Sequence, residues 1–396
     1  MRKMLPRILF PLASALLVAC YTPEPFEAET VGSSASNQES DIGIMFPVNT
    51  MQQICNPSVT QDTVNFPASM LWLNFGSDLI VTRPDSEYTV SKAVVEQHDR
   101  LTISDTAGKV LWYMMRDTAA GECQFQDPEW STHPDYAVAL RGYDVDGKKS
   151  CMNLDFGMFA VRFSDSKKFW FFDKDLPEDA SPHLWVKPGA TVAEDADDST
   201  VEGFFGTDEV RLVYVDDGNK IVFADFANGG LKKAKKLKKP AGESNLMVDA
   251  PMISPDGKFV VYNVVENSRA WEAYIQELSA TSVPVKIERR QGATSDPAQP
   301  HWFEYNGRLF IVWTEFPSGE PMLSRNDLRE ESAQDGSVGR TVMREIRLNA
   351  GAPADLAFEW VGDVREIASV PMIGGRSPDG KFLATGTNYG FLLELP

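Results

Sequence analysis

Five residues that directly follow a proline carry side chains able to bind ligands or exchange protons: Glu129, His183, Met252, His301 and Met372. Two of the four histidines in the chain fall in this set. The position after each is large and apolar: Trp130, Leu184, Ile253, Trp302 and Ile373. On strands, alternate side chains face opposite sides. The apolar column should then pack between neighbouring elements, and the variable column should face a shared channel. Imidazole, carboxylate and thioether groups all ligate transition metals. They also line channels through hydrogen bonds alone, and both readings stay open. A metal, if one is held, rests on His183 and His301; no other cofactor is implied.

Thiol chemistry begins at Cys20. Arg2, Lys3 and Arg7 precede an apolar run from Ile8 to Val18. That run is too short for a bilayer, which needs roughly 20 apolar residues. It ends in Leu17-Val18-Ala19-Cys20, which resembles the lipobox of bacterial lipoprotein precursors. The resemblance implies cleavage of residues 1–19, lipidation of Cys20 and anchoring at a membrane outside the cytoplasm. Tyr21, where an Asp marks inner-membrane retention in such families, points to the outer membrane if the cell has one. Residues 20–40 (CYTPEPFEAETVGSSASNQES) offer little to bury and read as a flexible tether. Three further cysteines, Cys55, Cys123 and Cys151, permit one disulfide after export. Cys55 and Cys123 lie in loop-like contexts (QQICNPS and AAGECQFQD), whereas Cys151 reads as strand, so the expected pair is Cys55–Cys123.

Catalytic signatures are sparse. No Gly-x-Ser-x-Gly elbow occurs, so no catalytic residue is assigned and nucleophilic hydrolysis is not indicated. Glycoside chemistry needs two carboxyl groups roughly 5 to 10 Å apart. Asp and Glu total 57, and no spacing singles out a pair. The formal charge of −19 grows more negative once residues 1–19, with three basic residues and no acidic one, are removed. A surface so acidic repels nucleic acid, which is excluded as a partner. Lys232, Lys233, Lys235, Lys236, Lys238 and Lys239 stand against that background and suit a charged outermost strand or a docking patch for an acidic partner or anionic glycan. Glu194, Asp195, Asp197 and Asp198 lack the periodicity of a calcium loop and read as a solvated insertion.

The elements that position these residues are short strands. From residue 41 onward, apolar segments of five to eight residues alternate with Gly, Asp, Asn and Pro clusters. An internal repeat organises them: APMISPDGKFVVYNV (250–264) and VPMIGGRSPDGKFLAT (370–385) share Ser-Pro-Asp-Gly-Lys before a strand. Pro presets φ, Asp accepts a backbone hydrogen bond and Gly supplies a positive φ, so the motif is a hairpin turn. Looser copies occur at 127–140, 181–189 and 299–313. Units of four strands over roughly 50 residues are the period of propeller blades. The expected fold is all-β, a six-bladed β-propeller of four-stranded antiparallel blades over 41–396, with five or seven blades as alternatives. Units should begin near 70, 127, 182, 250, 300 and 370. IGIMFPV (42–48) should fill the outer place of the last blade and close the ring.

The tandem Ser-Pro-Asp-Gly-Lys units resemble the propeller repeats of the periplasmic protein TolB and of prolyl oligopeptidase. The resemblance is clearest over 180–396 and implies fold far better than function. It covers no hydrolase domain. Together these readings favour a lipid-anchored, cell-envelope propeller that binds or assembles protein or glycan without catalysis. The rival is a propeller enzyme acting on carbohydrate, as a glycoside hydrolase or lyase.

Overall fold

Both Ser-Pro-Asp-Gly-Lys segments close hairpins through the same hydrogen bonds. Ser254 Oγ donates to Asp256 and accepts from Phe259 N–H at 2.9 Å; Ser377 does the same with Asp379 and Phe382. Gly257 and Gly380 take φ values of 73° and 74°, the left-handed region where a side chain is costly. These turns come from a computed structural model that describes residues 38–40, 43–48, 54–74, 80–82, 87–89, 98–145, 151, 153–227, 230–231, 234–240, 247–266, 270–290, 295–317, 339–348, 358–372, 374–385 and 391–396.

The fold is a six-bladed, all-β propeller of four-stranded antiparallel blades. Blade 1 runs outward from Ile54–Val59 through Ser69–Asn74 and Arg100–Asp105 to Val110–Met115. Blade 2 comprises Glu122–Trp130, Tyr136–Asp144, Leu154–Arg162 and Lys167–Leu176. Blade 3 begins at His183–Val186 and continues through Val210–Val215 and Ile221–Ala227 to short outer pieces, Gly230–Leu231 and Lys235–Lys236. Blades 4 and 5 begin at Met247–Ile253 and Ser295–Tyr305. The unit expected near residue 70 therefore begins earlier, because 69–74 is the second strand of its blade. In blade 3 the exposed Lys235 and Lys236 pair with Phe223 and Val222 at the outer edge, where charge discourages further strand pairing.

Blade 6 closes the ring. Its inner segment is irregular, joined to Phe382–Thr385 by the Arg376–Leu383 bridge. Phe391–Glu394 follows, and Gly43–Pro47 pairs antiparallel with it, Phe46 opposite Leu392. The outer strand thus comes from the other end of the chain, as expected, and Gln38–Ser40 adds a further edge.

The core lies between blades. In Tyr136–Leu140, Tyr136, Val138 and Leu140 face blade 3, while Ala137 and Ala139 face blade 1. Both faces of the sheet are covered, so this strand is an unbroken apolar run rather than an alternating one. Four members of the apolar column pack as expected: Trp130, Leu184 and Ile253 are buried between blades and Trp302 is half-buried, while Ile373 lies outside the described residues. The acidic insertion after His183–Val186 is more than a solvated loop. It contains the helix Val201–Phe205, capped by Thr200, which accepts from Gly203 N–H at 3.0 Å. Phe204 and Phe205 fill the gap between blades 2 and 3, and Asp198 pairs with Arg162 at 2.8 Å.

The disulfide corrects the expected pairing. Cys123 bonds Cys151, with Cα atoms 5.5 Å apart, not Cys55. The strand Tyr136–Asp144 runs back along Glu122–Trp130 and sets Tyr143 opposite Glu122. The chain leaving that strand therefore returns beside Cys123. Cys151 lies outside any strand, at φ 53°.

Candidate functional site: the axial cavity

In five blades a proline stands in or just before the inner strand, and that point builds the site. Asn56, Asp127, Ser181, Ala250 and Gln299 each precede a proline and each has a φ between 41° and 49°. Residues before proline ordinarily stay extended, so five such conformations mark a built feature. Ladder register shifts at the same place, between Cys55 and Ser58, between Gln126 and Glu129, between Asp249 and Met252, and between Ala298 and His301. These are β-bulges, which re-aim side chains. Proline costs no ladder bond here, because the inner edge of each blade faces the channel.

The re-aimed residues tie the blades together around the axis. Ser58 Oγ donates to Glu129 and accepts from Trp130 N–H at 3.1 Å. His183 Nδ1 accepts from Ile253 N–H at 3.0 Å. Trp302 Nε1 donates to the Met252 carbonyl at 2.9 Å. Thr314 Oγ1 donates to the Met372 carbonyl at 2.8 Å and accepts from Met372 N–H. Val59 N–H donates to the Gly374 carbonyl at 2.7 Å and joins the first blade to the last.

A cavity of about 530 Å³ opens on the turn side of this ring. Glu129, His183, Met252 and His301 all line it, together with Trp302, Tyr305 and Arg376. Met372 does not. Its side chain is fully buried with Phe303, Phe310 and Leu393 between blades 5 and 6. Blade 6 has three extra residues, Gly374-Gly375-Arg376, between its apolar pair and the turn. Gly375 consequently takes the place beside the axis, where a Cβ would stand 3.1 Å from the His301 ring. The proline after Asn56 is the signal for Ser58, the sixth member of the ring, which the turn-based reading passed over.

Burial governs the charges. It lowers His183 to about 3, aided by the nearby His301, and lowers His301 to about 4 against the pull of the Gln299 carbonyl. It raises Glu129 to about 8 although Ser58 and Trp130 N–H favour its ionised form. Asp127, two residues earlier on the same strand, rises to about 7 through burial and the neighbouring Asp249. At neutral pH the floor of the cavity carries two uncharged imidazoles and a predominantly protonated carboxyl group. Among the described residues no group of three or more His, Cys, Asp or Glu side chains is placed to hold a metal ion. Cys20 lies outside the described residues, as do Lys232 and Lys233.

A second cavity, of about 500 Å³, lies over blades 2 and 3 beside His133. Its charges are largely matched internally, Arg162 binding both Asp165 and Asp198.

No family model matches the chain, and no curated protein matches it. Among solved structures, TolB from Acinetobacter baumannii aligns at 12% identity and a TM-score of 0.40 over 83% of this chain. The chain spans 64% of that protein's length. A putative TolB from Agrobacterium tumefaciens aligns at 13% identity and a TM-score of 0.39, covering 89% of this chain and 97% of that one. An exo-1,5-alpha-L-arabinanase from a bovine ruminal metagenomic library aligns at 10% identity and a TM-score of 0.35, covering 76% and 95%. At these values the likenesses carry no argument about activity or partner. The propeller stands on its own six sheets.

Proposed function

We propose that this protein is a cell-envelope lipoprotein, anchored through Cys20, whose propeller is a non-enzymatic binding or assembly module for protein or glycan. The outer membrane is the expected address where the cell has one. The observation that carries the binding reading is the state of the axial cavity's two imidazoles. His183 and His301 titrate far below neutrality, whereas a general acid or base works best near the operating pH. Glu129 and His183 are also already committed to hydrogen bonds between blades, and His301 Nδ1 to the Gln299 carbonyl of its own strand. The cavity is thus a preformed concave polar and aromatic surface, the usual character of a binding site. No helix among the described residues is long and apolar enough to cross a membrane.

One observation favours the carbohydrate-enzyme reading as the second. Asp127 and Glu129, two residues apart on one strand, both titrate near neutrality, at about 7 and about 8, the range of a general acid.

Detergent-solubilised protein used as bait, with glycan-array binding alongside, tests the proposal. The expected result is a retained envelope protein or glycan that is released unaltered, and mass spectrometry showing acylated Cys20 as the first residue. Turnover of a captured glycan, or an uncleaved and unacylated N-terminus, would overturn it.

A further inference from the structure

The two histidines on the cavity floor hold their protons on different nitrogens, and the backbone decides which. His183 Nδ1 accepts the Ile253 N–H at 3.0 Å. A ring nitrogen that accepts carries no proton, so His183 is the neutral tautomer with its proton on Nε2. His301 Nδ1 lies 3.0 Å from the Gln299 carbonyl oxygen. A carbonyl only accepts, so the proton of His301 is on Nδ1 and its Nε2 keeps a free lone pair. That Nε2 is buried without a hydrogen-bond partner among the described residues, in a side chain only 7% exposed. Both rings line the cavity, and they are near enough for charge on one to disfavour charge on the other.

The two rings at the cavity floor therefore carry one fixed donor and one fixed acceptor, both uncharged, the acceptor being buried and awaiting a partner. We propose that this pair is a subsite for a hydroxyl group of a neutral glycan, which donates to His301 Nε2 and accepts from His183 Nε2–H. The assignment rests on the binding-module reading and deepens it. A hydroxyl is the group that gives and takes a hydrogen bond at one atom. Other ligands match less well. A metal ion needs a lone pair from each ring, and that of His183 is spent on Ile253. A carboxylate or phosphate meets the His301 lone pair, and an ammonium meets the His183 N–H. The surroundings are also those of a sugar site. Met252 gives an apolar wall, Tyr305, 42% exposed, stands at the mouth, and Gly375, without a Cβ, lets the backbone approach the His301 ring closely. An unpaired buried acceptor is costly until a ligand or water satisfies it, and that cost favours occupancy.

The test is long-range ¹H–¹⁵N NMR of the imidazole rings in the intact, ¹⁵N-labelled protein at pH 7, where four histidines give a simple spectrum. His183→Gln and His301→Gln identify the two rings by loss of signal. The expected spectrum shows His183 with its proton on Nε2 and His301 with its proton on Nδ1. Maltotriose, arabinotriose and the trisaccharide of N-acetylglucosamine are then titrated, with Zn²⁺ and inorganic phosphate as controls. At least one trisaccharide should shift both rings saturably, and His301→Phe should weaken that binding at least tenfold. Reversed tautomers, rings that no trisaccharide moves, or tight ligation of both rings by Zn²⁺ would each sink the subsite. The wild-type spectra decide even where His301→Phe fails to fold. A partner bound equally by wild type and His301→Phe overturns the subsite and leaves the binding module standing. Cleavage of the bound trisaccharide does the reverse.

Discussion

Replacing Glu129 by Gln should stabilise the propeller at neutral pH, by an amount that grows with pH. Glu129 holds its proton in the folded protein up to about pH 8, chiefly because burial penalises the carboxylate, whereas the unfolded chain loses it near 4.5. Between those values the folded state binds more protons than the unfolded state, so stability falls as pH rises. The contribution is complete below about pH 4.5 and lost on the way to pH 8. Each pH unit crossed in that interval costs about 1.4 kcal/mol for a single group. From pH 5 to 7 the full effect is about 3 kcal/mol, and solvent touching the half-buried side chain reduces the expected figure to about 2 kcal/mol. Asp127 acts in the same direction. His98, His183 and His301 act oppositely below pH 6.5, because the unfolded chain protonates there before the folded one. Those terms are common to both proteins, so the difference between the Glu129→Gln variant and wild type isolates the carboxyl group. The amide keeps the shape and still accepts from Ser58. Guanidinium unfolding at pH 5, 6, 7 and 8, compared as free energies, should show the variant gaining on wild type by about 1 kcal/mol per unit. A difference independent of pH, or one that shrinks as pH rises, would show that Glu129 is ionised in the folded protein and refute the reasoning.

Deleting residues 41–50 removes the strand paired with Phe391–Glu394 and should lower the melting temperature by several degrees or abolish folding, as read by circular dichroism; unchanged melting would refute ring closure through that strand. Non-reducing peptide mapping should recover Cys123 linked to Cys151. Cys123→Ser should cost up to about 3–4 kcal/mol, the chain-entropy value for a closed loop with a sequence separation of 28. Gly374→Ala places a Cβ 2.0 Å from the Pro57 carbonyl oxygen, across the contact between the first and last blades. It should destabilise by more than about 2 kcal/mol in chemical denaturation, and a loss under about 0.5 kcal/mol would show that the two inner segments part easily.

What the sequence made legible was whatever is local and repeated. A Ser-Pro-Asp-Gly-Lys turn specifies its own conformation through Pro, Asp and Gly, so two copies announced hairpins, and the recurrence of four short strands over roughly 50 residues announced blades. The proline before Glu129, His183, Met252 and His301 marks four residues that line the cavity, because in five blades the residue before that proline takes a positive φ and the following side chain is re-aimed. Where the reading failed, one local rule had been used in place of another. Ser58 was missed because its blade lacks the turn, although Asn56-Pro57-Ser58 obeys the proline rule. Met372 was misplaced because the proline rule was applied where three inserted residues shift the register, and the turn at Ser377 is the better landmark there: two residues before it stands Gly375, as Met252 stands two before Ser254. The disulfide depends on where the chain after Tyr136–Asp144 returns relative to Cys123, which no local signal encodes. The proton positions on His183 and His301 are further still from sequence. One is set by a backbone N–H from the next blade and the other by a carbonyl two residues back on the same strand. Two histidines that read alike in the sequence, each after a proline and each before a large apolar residue, become a donor and an acceptor only when the blades are assembled. It is that asymmetry, more than the presence of two imidazoles, that turns a candidate metal pair into a site shaped for a hydroxyl.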